Sequence, residues 1–145
     1  MRGLLDDVTI RGQRPRLLFV HAHPDDETLA TGVALAHHGA RGDDVHVLTC
    51  TLGEEGEVIP APLAHLEGAA GDPLAHHRRG ELTAAMRSLG VVHHLLSASS
   101  GDAAATYRDS GMAGSAAAEH PRAWVGADLE EAAAAIRAVI DEVRP

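Results

Sequence analysis

Apolar positions follow two alternating rhythms along this chain. Runs of Leu, Val and Phe around 17–20 and 45–48 have strand length, while the segments after them carry apolar residues at helical spacing. Residues 16–22 read as a first strand. Over 26–39 the residues Leu29, Val33, Ala36 and Ala40 recur at helical intervals and predict one apolar stripe, with Gly39 and Gly42 as stop signals. Residues 45–51 form a nearly continuous apolar and β-branched run, the pattern of a strand buried on both faces. Residues 53–77 show no period and are rich in Gly and Pro. Residues 76–89 predict a second helix with Leu82, Ala85, Met86 and Leu89 inward and Gly90 ending it. A third strand is expected over 91–97 and a second irregular stretch over 99–125. The last helix opens on an Asp128/Glu131 capping box and presents Leu129, Ala132, Ala133, Ile136, Val139, Ile140 and Val143 as its core stripe.

Strand, helix and strand joined by short connections imply right-handed parallel crossovers, hence an α/β protein. The expectation is a Rossmann-like three-layer αβα arrangement around a mostly parallel sheet, incomplete at three strands. No G-x-G-x-x-G follows the first strand, which removes the main support for dinucleotide binding. At 145 residues the chain is one domain's length, with 1–15 reading as a frayed, polar arm.

Net charge changes the list of partners. The formal charge is −9, and every basic residue is Arg. An acidic surface argues against nucleic acid and anionic membrane, yet leaves a neutral sugar open. The single Cys50 lies in an apolar run and has no internal disulfide partner, which fits a reducing compartment. No apolar run reaches membrane-spanning length, and the first fifteen residues, with Asp6 and Asp7, do not read as a signal peptide. A cytoplasmic location is expected.

The candidate chemistry is concentrated in His23-Pro24-Asp25-Asp26-Glu27, where the first strand turns into the first helix. Ligands of open α/β sheets bind at the carboxyl ends of strands. An imidazole and a carboxylate three positions apart suit zinc, and Pro24 restricts the turn that carries them. On the residues alone the turn also reads as a helix cap, with Asp25 or Asp26 as N-cap beside a surface histidine, the commoner use of such a turn.

Further candidates follow along the chain. Glu54, Glu55 and Glu57 lie just past the second strand, as a solvated acidic cluster or as the rim of a site. Arg78 falls near the expected start of the second helix, where the dipole disfavours a cation, so it is either solvent-facing or placed for a purpose. Asp109 stands in Arg108-Asp109-Ser110-Gly111-Met112, and its carboxylate can accept hydrogen bonds from vicinal hydroxyls. His37 and His38 are expected on the solvent side of the first helix. His93 and His94 point to opposite faces of a strand, cannot chelate one metal together, and are read as structural.

The His-Ala-His-Pro-Asp-Asp-Glu run at 21–27 resembles the signature of the LmbE-like, or PIG-L, family of zinc-dependent N-acetylglucosaminyl deacetylases. Leu52-Gly53-Glu54-Glu55-Gly56-Glu57 and Arg108-Asp109-Ser110-Gly111-Met112-Ala113-Gly114 narrow the likeness to the actinobacterial branch acting in mycothiol biosynthesis. The resemblance covers about 16–145. It implies a zinc site with His23 and Asp26 as two ligands, another divalent metal such as Fe²⁺ being an alternative. It implies Asp25 as general base, and Glu57, Arg78 and Asp109 as contacts to a small glycoside, N-acetylglucosaminyl-inositol. Tyr107 stands where the family pattern leads one to expect tryptophan. In the family a further strand and loop bring a histidine ligand, a general acid and a tyrosine. This segment is therefore expected to be the N-terminal part of one catalytic domain, with the remainder of its own polypeptide as partner. Alternatives are a conjugate amidase of the same family and a non-catalytic metal-binding fragment. A metal-dependent phosphoesterase is a third alternative, but the sequence offers no basic phosphate cradle for it.

Overall fold

The computed structural model describes residues 14–96 and 107–145. The arm expected over 1–15, except Arg14 and Pro15, lies outside these residues, as do Ser97 and positions 99–106.

Three strands form a parallel sheet in the order β1 (Arg16–His21), β2 (Asp44–Thr49), β3 (Val92–Leu95). Helices α1 (Asp26–Arg41) and α2 (Pro73–Leu89) make the two crossovers, and α3 (Leu129–Val143) follows β3. Alternation along β2 sorts the core into two layers. Val45 and Val47 pack with Leu35 of α1 and Leu82 and Met86 of α2. Leu48 and Cys50 pack on the other face with Ala132 and Ala135 of α3. This is the expected αβα sandwich, with helices on both faces as a parallel sheet requires. Among the described residues no helix is long and apolar enough to cross a membrane.

Several faces differ from expectation. The stripe Leu29, Val33, Ala36 and Ala40 points away from the sheet; Leu29 is 84% and Val33 89% exposed. The buried side of α1 carries Glu27, Leu35 and His38 instead. The helix begins directly after the turn that leaves β1, so that turn sets which side meets the sheet, and polar anchors hold it there. His38, expected in solvent, is buried with its Nδ1 2.8 Å from Asp43 Oδ2, whereas His37 is exposed. Gly42 in the left-handed region ends α1. Gly39 remains helical, and its lack of a side chain serves packing instead: a Cβ there would meet the Leu89 carbonyl at the end of α2. In α3 the Asp128 half of the capping box forms, its Oδ1 accepting from the Glu131 N–H at 2.9 Å. Leu129, Ala133 and Ile140 are exposed, while Ala135 is buried with Ala132 and Val143.

Helix α2 starts at Pro73, earlier than the apolar period suggests, with proline in its favoured first position. Arg78 therefore sits in the second turn, and the dipole argument for it lapses. His93 and His94 lie on opposite faces, as expected. His93 Nε2 is 3.0 Å from Thr49 Oγ1, and His94 Nε2 is 2.8 Å from His46 Nδ1.

Candidate active site

The sheet ladder continues past the named strands. Cys50 and Thr51 donate their N–H groups to the carbonyls of His21 and Ala22, both at 2.9 Å, so the segment after β2 runs beside the turn after β1. Both turns lie at the carboxyl edge of the sheet, where an α/β fold opens a crevice.

In the β1–α1 turn neither acid caps the helix with its side chain. Asp25 has φ 83°, a left-handed conformation that is uncommon for a residue with a side chain and is found at constrained sites. Its carboxylate points to α2, where Arg78 Nη2 donates to Asp25 Oδ2 at 2.7 Å and to the Pro24 carbonyl at 3.1 Å. Asp26 turns the other way. Its Oδ2 accepts from the His23 N–H at 3.1 Å and stands 3.6 Å from His23 Nδ1. Asp25 thus holds the N-cap position of α1, as the cap reading expects, but caps with its backbone carbonyl alone, and the two carboxylates are aimed at different targets.

The His23–Asp26 geometry fits a shared metal. A separation of 3.6 Å is beyond a hydrogen bond, yet close to the ~3.3–3.5 Å edge between two tetrahedral ligands each ~2.0–2.2 Å from zinc. Among the described residues no third His, Cys, Asp or Glu completes a metal-holding group with them.

Asp109 reaches the same histidine from a distant part of the chain. Its Oδ2 lies 3.0 Å from His23 Nε2, and its Oδ1 accepts from the Gly111 N–H at 3.0 Å. Burial alone would raise this carboxyl's pKa, but the Gly111 and His23 hydrogen bonds more than offset it and hold it below the usual range. His23, Asp109, Gly111, Met112 and Trp124 line a cleft of about 360 Å³. Asp25, Glu57 and Arg78 line a second cleft of about 200 Å³, with Ile59, Leu63 and His77. Residues of the turn thus line both clefts, and each expected site residue lies in one of them or, as Asp26, beside His23.

The acids after β2 are not a solvated cluster. Glu54 is buried, and that burial raises its pKa against the opposing backbone hydrogen bonds. Glu55 Oε1 accepts from Arg108 Nε at 2.7 Å, while the Arg108 fork grips both oxygens of Asp72 at 2.8 and 2.7 Å. Glu57 is exposed and lines the second cleft. Arg108 is the residue that sequence reasoning undervalued. It ties the loop after β2, the start of α2 and the 107–109 segment together, and so fixes the backbone that presents Asp109. The available signal was a cation adjoining the candidate acid, with an acidic loop elsewhere to receive it. Tyr107 is buried edge-on against Trp124, ring centres 4.7 Å apart, and packs rather than lining a cleft. Glu27 is 1% exposed, with Oε1 accepting from Thr28 Oγ1 at 2.8 Å.

Comparison with known proteins gives a consistent family. The PIG-L (GlcNAc-PI de-N-acetylase) family model matches residues 18–145. The 1D-myo-inositol 2-acetamido-2-deoxy-alpha-D-glucopyranoside deacetylase of Rhodococcus opacus (strain B4) is 57% identical over 130 residues, 90% of this chain and 43% of that protein. The enzyme of the same name from Salinispora arenicola (strain CNS-205) is 53% identical over 141 residues, 97% of this chain and 44% of its own length. A deacetylase of the teicoplanin biosynthetic pathway, solved as a triple mutant, superposes with a TM-score of 0.55 at 25% identity. That match covers 90% of this chain and 48% of that one. The chain spans less than half the length of these relatives.

Proposed function

The chain belongs to the PIG-L (GlcNAc-PI de-N-acetylase) family, and from that premise we propose that it is the N-terminal part, over residues 16–145, of a single metal-dependent deacetylase domain. The reaction is hydrolysis of the acetamide of N-acetylglucosaminyl-inositol to acetate and glucosaminyl-inositol, in mycothiol biosynthesis. The substrate class rests on the names of the two relatives above. The observation that carries the chemistry is the division of labour in one turn: Asp26 stands beside the His23 ring, while Asp25 is left off that pair and is held by Arg78.

His23 Nδ1 and Asp26 Oδ2 are the donors this chain offers a divalent metal. An imidazole nitrogen with a carboxylate oxygen favours zinc over a hard, all-oxygen cation. Such an ion, when bound, polarises the acetamide carbonyl and brings the pKa of a coordinated water toward neutrality. Asp25 adjoins a ligand without being one, and we assign it the role of general base that takes the attacking water's proton; Arg78 engages its Oδ2. Arg78 holds Asp25 in that orientation and, with Glu57, presents charged hydrogen-bonding groups to hydroxyls in the second cleft. Asp109 offers its remaining lone pairs to the sugar in the first. Water adds to the carbonyl carbon, the C–N bond breaks, and the amine takes up a proton.

The test is acetate release by the full-length protein from N-acetylglucosaminyl-inositol, beside a mycothiol conjugate and free N-acetylglucosamine. Preference for the first, abolished by a chelator and restored by zinc, is the expected result. Preference for the conjugate assigns amidase activity instead.

A further inference from the structure

Both ring nitrogens of His23 face a carboxylate, and the two contacts differ in kind. Nδ1 is 3.6 Å from Asp26 Oδ2, beyond hydrogen-bond length, whereas Nε2 is 3.0 Å from Asp109 Oδ2, within it. Asp109 is therefore no third ligand beside Asp26; it holds the opposite side of the ring.

Its position is strongly determined. The Asp109 carbonyl accepts from the Glu55 N–H at 3.2 Å, and the neighbouring Arg108 exchanges backbone hydrogen bonds of 2.9 Å with Arg122 and Trp124. Asp109 Oδ1 is engaged by the N–H of Gly111, which has φ 74°. The carboxylate cannot turn without losing that bond. An ionised carboxylate only accepts, so the proton of a neutral His23 ring sits on Nε2 and Nδ1 keeps its lone pair toward Asp26.

We propose that Asp109 is a positioning residue for the metal centre: its bond to His23 Nε2 fixes the ring and its tautomer so that Nδ1 is presented beside Asp26. This rests on the reading of His23 and Asp26 as ligands and gives Asp109 a task besides contacting sugar. Carboxylates that fix a ligating histidine in this way tune metal affinity at metal centres generally. One side chain then serves both the sugar cleft and the metal site.

Asn and Ala variants of Asp109 in the full-length protein separate this from a sugar-binding role alone. The readouts are zinc affinity by chelator competition and the His23 tautomer by nitrogen NMR of the metal-free protein. Wild type should show the Nε2–H form. Asp109→Asn supplies one acceptor oxygen for two donors, and the Gly111 N–H has no tautomer to change. The His23 proton should therefore move to Nδ1, and zinc Kd should rise about 10–100-fold. Asp109→Ala should weaken zinc no more than Asn does, although Asn is closer in shape. A residue needed only for folding predicts the reverse order. If both variants raise KM while tautomer and zinc Kd stay as in wild type, the inference is overturned and the proposed function is untouched. An Nδ1–H tautomer in wild type overturns it with no variant needed. If wild type fails to deacetylate while tautomer and Kd still track Asp109, the positioning role stands and the substrate reading falls.

Discussion

Arg78 Nη2 lies 2.7 Å from Asp25 Oδ2. A guanidinium on α2 thus meets the carboxylate at the start of α1, and the pair sits at the mouth of the cleft that also holds Glu57. Replacing Arg78 with Ala removes a charge-assisted hydrogen bond from Asp25 and a donor from the second cleft, where we propose that substrate hydroxyls bind. We expect kcat/KM of the full-length enzyme to fall by about 1–3 kcal/mol in transition-state terms. Wild-type steady-state kinetics in this variant would return Arg78 to an ordinary surface residue.

Adjacent acids should behave differently when removed. Asp26→Ala should lose metal and activity together, as read by elemental analysis beside an acetate-release assay. Asp25→Asn should retain metal and lose roughly two to four decades of kcat, the scale of acid–base catalysis. Full zinc retention in the Asp26 variant, or unchanged turnover in the Asp25 variant, contradicts the assignment concerned.

Arg108 and Asp72 predict a feature of acid unfolding. The hydrogen bonds from Arg108 hold the Asp72 carboxyl below its ordinary value, against the opposing effect of burial. A depressed carboxyl pKa contributes stability in full above the unfolded value of ~3.9, lost as pH falls through the lower folded value. Arg108→Met should lower stability at neutral pH by about 1.5–3 kcal/mol for its charged hydrogen bonds. It should also flatten the acid limb of a pH series of urea melts. A parallel downward shift of the whole curve would mean that Asp72 does not sense Arg108.

His93 and His94 predict a second, milder pH dependence. Burial lowers the pKa of each ring; the charges of His94 and Arg79 add to this at His93, and that of His46 at His94. Below pH ~6.5 the unfolded chain takes up protons that the folded rings refuse, so stability rises with pH through that window. Denaturation midpoints should fall on acidification from about pH 7 toward 5.5, and His93→Gln should remove part of the slope. An unchanged slope in that variant would exclude His93 as its source.

Much of this architecture was legible because local rules and tertiary packing agree. An apolar run of strand length, broken by Pro24 and followed by acids, can hardly be other than strand, turn and helix. Strand alternation likewise separated His93 from His94. What stayed hidden was long-range. The outward face of α1 could not be read from its own stripe, because the orientation comes from the turn and from the buried His38–Asp43 contact. Leu29 and Val33 carried the periodicity without carrying the core. Pro73 lies in the Gly- and Pro-rich 53–77 stretch that shows no period, yet it opens α2, because proline suits the first position of a helix. The fork of Arg108 joins residues 36 and 53 positions away, and no local pattern encodes such a partner. His23, Asp25 and Asp26 were visible as a motif, whereas the second carboxylate on the His23 imidazole, that of Asp109, had to be seen in space.

Gly53 has φ 63°, and a Cβ built on it would overlap Nη1 of Arg78. The arginine lies across a bare backbone, so the identity of position 53 is written into the conformation of position 78. A methyl group there meets the flexible end of a side chain, and the guanidinium that must shift is the one bonded to Asp25. Gly53→Ala should thus be a phenocopy of Arg78→Ala, with added backbone strain. In a double-mutant cycle the two lesions should count nearly once, because either one abolishes what the other disturbs. In a mutational screen of the full-length protein, substitutions at positions 53 and 78 would fall into one phenotypic class despite the loop and helical turn between them.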